Sequence, residues 1–186
     1  MIGFAELWLA ILLSSVLVFL ASSAIHMASP WHKGDYPAPP RERDLLDAMR
    51  PFALPPGDYM MPRATSMAEM KSPEYIEKVT RGPVVLMTVF PNGPSRMGGT
   101  FVKWFLFLLL VSLVAAALAG TTLSSAASSA QIFHLVFIAT FASYALALWP
   151  LSIWYHRAWS ITLKSTVDAA IYAAITAGVF VWLWPR

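Results

Sequence analysis

The chain has 186 residues, of which 58 % are hydrophobic and 12 % charged, with a formal net charge of +3. Soluble domains run at roughly 45–50 % and about 25 %, so composition excludes an ordinary water-soluble fold, and the mean hydropathy of +0.60 agrees. Cysteine is absent, which removes disulfides, thiolate metal sites, c-type haem attachment and cysteine nucleophiles.

A bilayer core of about 30 Å takes about 20 helical residues at 1.5 Å each. Leu7 to Ile25 is a charge-free run of that length between Glu6 and His26. The stretch before it lacks the basic start of a secretory signal, so residues 1–25 are expected to stay as a first transmembrane helix. Residues 26–100 differ in kind. Twelve of the fourteen prolines fall between Pro30 and Pro94, so only short helices are expected there. Arg41 to Arg50 is one, with Leu45, Leu46 and Met49 on one face. Ser66-Met67-Ala68-Glu69 fits a capping box for a single turn. Pro73 to Thr80 has Ser72 as N-cap and Gly82 as a stop. The apolar, β-branched run Val84 to Phe90 reads as a short strand or an interfacial segment. The acids of this region nearly balance its bases, which argues against nucleic acid as a partner.

Three more spans follow, at about 101–119, 132–155 and 165–184. Lys103 is placed to snorkel, Pro150 to kink the third helix near one end, and Asp168 is the fourth span's only charge. Trp8, Trp31, Trp104, Trp154, Trp159, Trp182 and Trp184 sit at or just beyond span ends, where an indole finds both apolar and polar surroundings. The predicted fold is therefore an all-α membrane protein. It has four transmembrane helices and a Pro-rich segment of short helices with one short strand.

Ten of the thirteen Lys and Arg lie between His26 and Lys103, and none lies in Gly120–Ala130. The positive-inside rule then puts residues 26–100 and the third connection, with Arg157 and Lys164, in the cytoplasm and both termini outside. The charges nearest the spans are Lys33, Arg96, Lys103, Arg157 and Lys164.

Few residues invite a chemical reading. An acid in a membrane span is a functional candidate by default, but Ser165-Thr166-Val167-Asp168 also matches a capping box at a helix start. His26, His32 and His156 are expected near the cytoplasmic face, so His26, His156 and Asp168 are weak candidates for a haem or metal site. No His-x-x-x-His spacing supports one, and interfacial histidines without metal are the favoured reading. His134, 22 residues before His156, would lie about 33 Å away at the opposite face. The methionines of the cytoplasmic segment, such as Met60, Met67 and Met70, read as adaptable packing rather than soft-metal ligands. No phosphate-binding glycine loop is present. Ala170, Ala174 and Gly178 form a small-residue row suited to helix packing, with Ala169, Ala173 and Ala177 beside it.

The segments Leu54-Pro55-Pro56-Gly57-Asp58-Tyr59, Glu69-Met70-Lys71-Ser72-Pro73-Glu74, Arg81-Gly82-Pro83, Ser152-Ile153-Trp154-Tyr155 and Lys164-Ser165-Thr166-Val167-Asp168 are together similar to a family of small uncharacterised bacterial inner-membrane proteins. The resemblance reaches the closing Trp182-Leu183-Trp184-Pro185. It implies a multi-pass inner-membrane location and carries over no catalytic residue or cofactor. The expected function is a non-catalytic accessory or scaffold subunit that meets other membrane proteins or itself. A small oligomeric transporter or channel comes second, with Ser14, Ser15, Thr140, Ser143, Tyr144 and Thr176 as a polar path. A haem- or metal-binding protein at the cytoplasmic face comes third.

Overall fold

The computed structural model describes residues 2–94 and 97–186; Arg96, one of the charges used above for orientation, lies outside them. Most described residues are helical. Among the described residues, four helices are long and apolar enough to cross a membrane: Phe4–Ala28, Met97–Thr122, Ser129–Tyr155 and Trp159–Trp182.

The first span is α1 (Phe4–Ser23) continued by one π-helical turn, Ala24–Ala28. The second is α5 (Met97–Thr122). The third breaks as the proline predicts: α6 (Ser129–Ala145) passes through a 3-10 turn, Leu146–Leu148, into α7 (Trp149–Tyr155). Pro150 sits in the first turn of α7, where its missing N–H leaves no intrahelical bond unmade. The fourth is α8 (Trp159–Trp182). In the ring of helices, α1 packs on α5 and α8, and α6 packs on the same two.

The interior mixes large apolar, small and weakly polar side chains: Leu7, Leu108, Val136 and Phe180 are buried with Ala10, Ala115, Ala119, Ala173 and Ala177 and with Ser14, Ser15 and Ser112. Large side chains such as Trp8, Leu20, Val102 and Ile138 are more than half exposed, a liability in water and the ordinary arrangement in hydrocarbon. The interior hydroxyls bond locally. Ser15 Oγ donates to Ile11 O at 2.8 Å, Thr140 Oγ1 to Val136 O at 2.7 Å and Thr176 Oγ1 to Tyr172 O at 2.9 Å, while Ser14 and Ser112 meet at 3.1 Å. Of these bonds, the one between Ser14 and Ser112 links two helices, α1 and α5.

Two ends are well defined. At one, Ile2 N–H donates to Gly120 O at 2.9 Å and Trp184 Nε1 to Ser124 O at 3.1 Å. A Cβ at Gly120 would lie 2.3 Å from the Ile2 carbonyl, so only glycine admits this approach. At the other, Arg157 reaches Tyr36 and Lys164 reaches Trp31.

Three sequence expectations change. The fourth helix starts at Trp159, not near 165, so Asp168 is a mid-helix residue and not a capping acid. Nothing between Trp159 and Ser165 breaks a helix, and Thr166 Oγ1 bonds back to Thr162 O at 2.8 Å instead of freeing the backbone. The third connection shrinks accordingly to His156–Ala158. Within the chain it is also the neighbouring small row that packs: Ala169, Ala173 and Ala177 are buried, whereas Ala174 and Gly178 are exposed and Ala170 is half-buried. A helix face is only about a third of its circumference, and the inward-turning Asp168 and Tyr172 select the 169 row.

Ala38 to Pro94 belongs to a second compact unit. It contains α2 (Glu42–Met49), a 3-10 turn (Arg50–Phe52), β1 (Gly57–Met61), α3 (Met67–Met70), α4 (Pro73–Arg81) and β2 (Val85–Val89). The strands pair antiparallel with Asp58 opposite Thr88, whose hydroxyl donates to the Asp58 carboxylate at 2.6 Å. Sequence showed β2 alone; Pro55-Pro56-Gly57 reads as a turn and masks β1 behind it. Ser66 and Ser72 cap α3 and α4 as expected. Glu69 completes no box, because its carboxylate turns to Thr65, which holds it below the ordinary Glu range. No described residue of this unit is buried.

A paired substitution separates the two faces of α8. Ala173→Leu forces a large side chain into a closed contact and is expected to lower unfolding stability in detergent by about 1–3 kcal/mol. Ala174→Leu, on the open face, is expected to stay within about 0.5 kcal/mol of wild type. Equal effects would contradict the assigned packing row.

Candidate functional site

The polar centre of the bundle forms where the first span ends. In the π turn, Ser29 N–H reaches back five residues to Ala24 O at 3.1 Å; such widened turns recur at functional sites because they re-aim side chains. Here His26 is turned so that its Nδ1 meets Ser22 O at 3.0 Å. The chain then folds over α8 in two tight turns, Lys33 N–H to Pro30 O and Asp35 N–H to His32 O. This arch carries Trp31, His32 and Asp35.

On α8, Lys164 and Asp168 are four residues apart and share a face. Asp168, only 3 % exposed, accepts from Trp31 Nε1 at 3.1 Å through Oδ1 and meets His32 Nε2 at 2.8 Å through Oδ2. The other side of the His32 ring, Nδ1, lies 2.6 Å from Asp35 Oδ2. Lys164 Nζ closes the circuit, donating to Asp35 Oδ1 at 2.6 Å and to Trp31 O at 2.8 Å. The Lys164 ammonium, with the His32 ring, holds the Asp35 carboxyl below its ordinary range. Asp35 is therefore ionised at neutral pH and engages Lys164 through one oxygen and His32 through the other.

The His26 ring stacks on His32, centroids 4.3 Å apart and planes 11° from parallel. His26, His32 and Asp168 each present a donor atom within 4.8 Å of the others. Their outer bonds matter for what they can hold. A metal-bound imidazole donates its other N–H to a carboxylate or a backbone carbonyl. His32 has Asp35 and His26 has Ser22 O in those places, so a bound ion would take Nε2 of each ring, displacing the present His32 Nε2–Asp168 contact. Ligands about 2.0–2.1 Å from a tetrahedral ion stand roughly 3.3 Å apart, so the 2.8 Å between His32 Nε2 and Asp168 Oδ2 has to open by about half an ångström. Without an ion, the two ring nitrogens of His32 link Asp35 and Asp168, and Lys164 supplies a neighbouring cation.

Beside the cluster lies a cavity of about 640 Å³ bordered by α1, α5, α6 and α8. Asp168 and His26 touch its polar end, and Phe101, Trp104 and Phe107 supply apolar wall. Tyr144 and Tyr172 also line it. They are 8 % and 4 % exposed, and neither hydroxyl has a hydrogen-bond partner.

The residues singled out from sequence divide. His26 and Asp168 come together. His156 does not join them: it ends α7 in the left-handed region at φ 54° and is exposed, and His32 takes its place. His134 is exposed on α6. Asp35 and Tyr172 escape the sequence reading, and Trp31 and Tyr144 enter it only as an interfacial aromatic and a polar-path residue. Their one sequence signal is local, the His32-x-x-Asp35 and Lys164-x-x-x-Asp168 spacings, each of which places its pair on one side of a turn.

Trp31→Phe keeps the ring but removes a donor from a buried carboxylate, and is expected to lower stability by about 1–3 kcal/mol. His156→Ala is expected to stay within about 0.5 kcal/mol of wild type; thermal unfolding in one detergent measures both.

No protein-family model, no curated protein and no solved structure matches the chain, so the reading of this site rests on its own geometry.

Proposed function

We propose that this chain is a multi-pass protein of the bacterial inner membrane that holds one divalent transition-metal ion at the cytoplasmic end of its bundle. His26, His32 and Asp168 are the ligands. The observation that carries the reading is the pair of outer bonds, Asp35 to His32 Nδ1 and Ser22 O to His26 Nδ1, which orient two imidazole rings beside one buried carboxylate. Two histidines and one carboxylate suit zinc and its neighbours and leave a fourth position for water or a ligand. The basic connections around this end support the cytoplasmic placement. Haem fits less well. Its two axial histidines approach from opposite faces of the porphyrin, whereas these rings lie stacked at 4.3 Å.

A second reading, an accessory subunit of a larger membrane assembly, is favoured by the outward row of Ala174 and Gly178. A Cβ at Gly178 would meet nothing within 4 Å, so another helix has room to pack there. A cysteine at position 174 that captured no protein under membrane cross-linking would remove it.

The metal reading predicts one zinc per chain after loading and desalting in detergent, measured by elemental analysis. Asp168→Ala and the double variant His26→Ala/His32→Ala are expected to lose it, and His156→Ala to keep it. Retention by the ligand variants, or loss with His156→Ala, would contradict the assignment.

A further inference from the structure

The helix α2 lacks the supports that keep a short helix folded in water. It has eight residues, Glu42–Met49, and no side-chain cap at its start. Isolated helices below about 12–15 residues are marginal even with favourable sequences. Among the described residues of its own compact unit, no element packs substantially on α2 except the 3-10 turn that continues it. Arg41 at φ 56° and Ala53 at φ 46° bracket the two in the left-handed region. That region is uncommon for residues with a side chain and persists where the surroundings hold it. A surface on the apolar side of α2 supplies what is missing. We propose that the segment 41–53 lies on the membrane as an interfacial helix, with Leu45, Leu46, Met49 and Phe52 seated just below the lipid headgroups. The inference rests on the reading of this chain as a multi-pass membrane protein and is independent of the metal site.

The side chains divide as such a helix requires. Leu45, Leu46 and Met49 recur at spacings of three and four and form one arc. Phe52, three residues further on, extends it through the 3-10 turn. Leu45 and Leu46 are nearly half exposed and Phe52 is 73 % exposed, so the arc lacks cover within its unit. Arg43, Asp44, Asp47 and Arg50 take the opposite side, where Arg41 pairs with Asp44 at 2.6 Å and Arg50 pairs with Asp47. Glu42 falls on the apolar arc in the first turn, where a carboxylate complements the helix dipole. That end therefore stays at headgroup level, and the Phe52 end goes deeper.

Two observations select lipid as the cover. One is reach. Asp35 is fastened to Lys164 of α8 at 2.6 Å, and α2 begins seven residues later, at most about 25 Å along the chain. Pro37, Pro39 and Pro40 stiffen this tether. A face held so near the bilayer meets it at high effective concentration, so two helical turns suffice. The other is level. Trp31, Trp154, Tyr155 and Trp159 are exposed around the bundle end that carries the arch, and exposed Trp and Tyr mark the depth of the headgroups. Charge sets the kind of contact. Residues 41–50 hold three basic and three acidic side chains, so apolar insertion and not attraction to anionic headgroups drives the docking.

The test uses full-length protein in phosphatidylcholine nanodiscs. Because the chain has no cysteine, single nitroxide labels can be placed through Leu45→Cys, Leu46→Cys, Phe52→Cys, Arg43→Cys and Asp47→Cys. Leu110→Cys, more than half exposed on α5, is the reference for lipid contact. Electron paramagnetic resonance compares relaxation by oxygen, which concentrates in hydrocarbon, with relaxation by a neutral, water-soluble nickel chelate. We expect the labels at 45, 46 and 52 to favour oxygen over chelate several-fold more than those at 43 and 47. Their depths are expected at about 5–10 Å, increasing from 45 to 52, and unchanged when phosphatidylglycerol is added. Leu45→Ser/Leu46→Ser is expected to bring the label at 52 out to the chelate. Equal chelate access on both sides of α2 would mean that the segment stands in water, and shielding from both reagents would mean that protein covers it. Either result, or insertion only when phosphatidylglycerol is present, would overturn the proposal. The label at 110 separates the two readings: lipid contact there without it at 46 leaves the membrane reading standing, and its loss at both removes that reading as well.

Discussion

A carboxylate in the tenth position of α8, surrounded by alanines and aromatics and almost without solvent contact, cannot stand alone. An uncompensated charge in a low-dielectric interior costs several kcal/mol. The polar architecture of the bundle follows from satisfying Asp168. Trp31 and His32 must come to it, which draws the chain after the first span back across α8. That arch brings Asp35, which needs its own cation, and Lys164 stands one helical turn before Asp168 to provide it.

The same constraint shapes the helices around the site. Bringing His26 next to His32 requires the first span to widen into a π turn, and the third span narrows into a 3-10 turn before Pro150. Away from this end the helices approach closely through alanines, serines and glycine, with hydroxyls bonded to their own helices. Near the cluster the interior residues are tyrosines, and the packing opens into the cavity. Packing is tight at one end and opens at the other into a partly polar chamber.

Much of the scaffold was legible in the sequence because hydrocarbon imposes length. Runs of about twenty apolar residues, a proline near one end of the third, and serine caps on α3 and α4 each act within one turn of the chain. The failures share a cause. Ser165 to Asp168 looks like a helix start only if local capping is considered, whereas the helix continues because Asp168 finds partners 136 and 137 residues away. Choosing between Ala170 and Ala169 as the packing row needs knowledge of which face turns inward, and two adjacent small rows are equivalent in sequence. Strand β1 is stabilised by its pairing with β2 across α3 and α4, and its own residues carry little alternation. His156 was a reasonable candidate by depth, but depth says nothing about azimuth around the bundle.

The account stands on Asp168 and His32 acting as one unit across the arch. A double-mutant cycle of Asp168→Asn and His32→Ala, read by reversible unfolding in a single detergent, measures that link directly. The two changes are expected to be coupled by more than about 1 kcal/mol, the single variants each costing nearly as much as the pair. Additive effects, agreeing within about 0.3–0.5 kcal/mol, would mean that the arch does not sit on α8 and that the polar centre described here does not form.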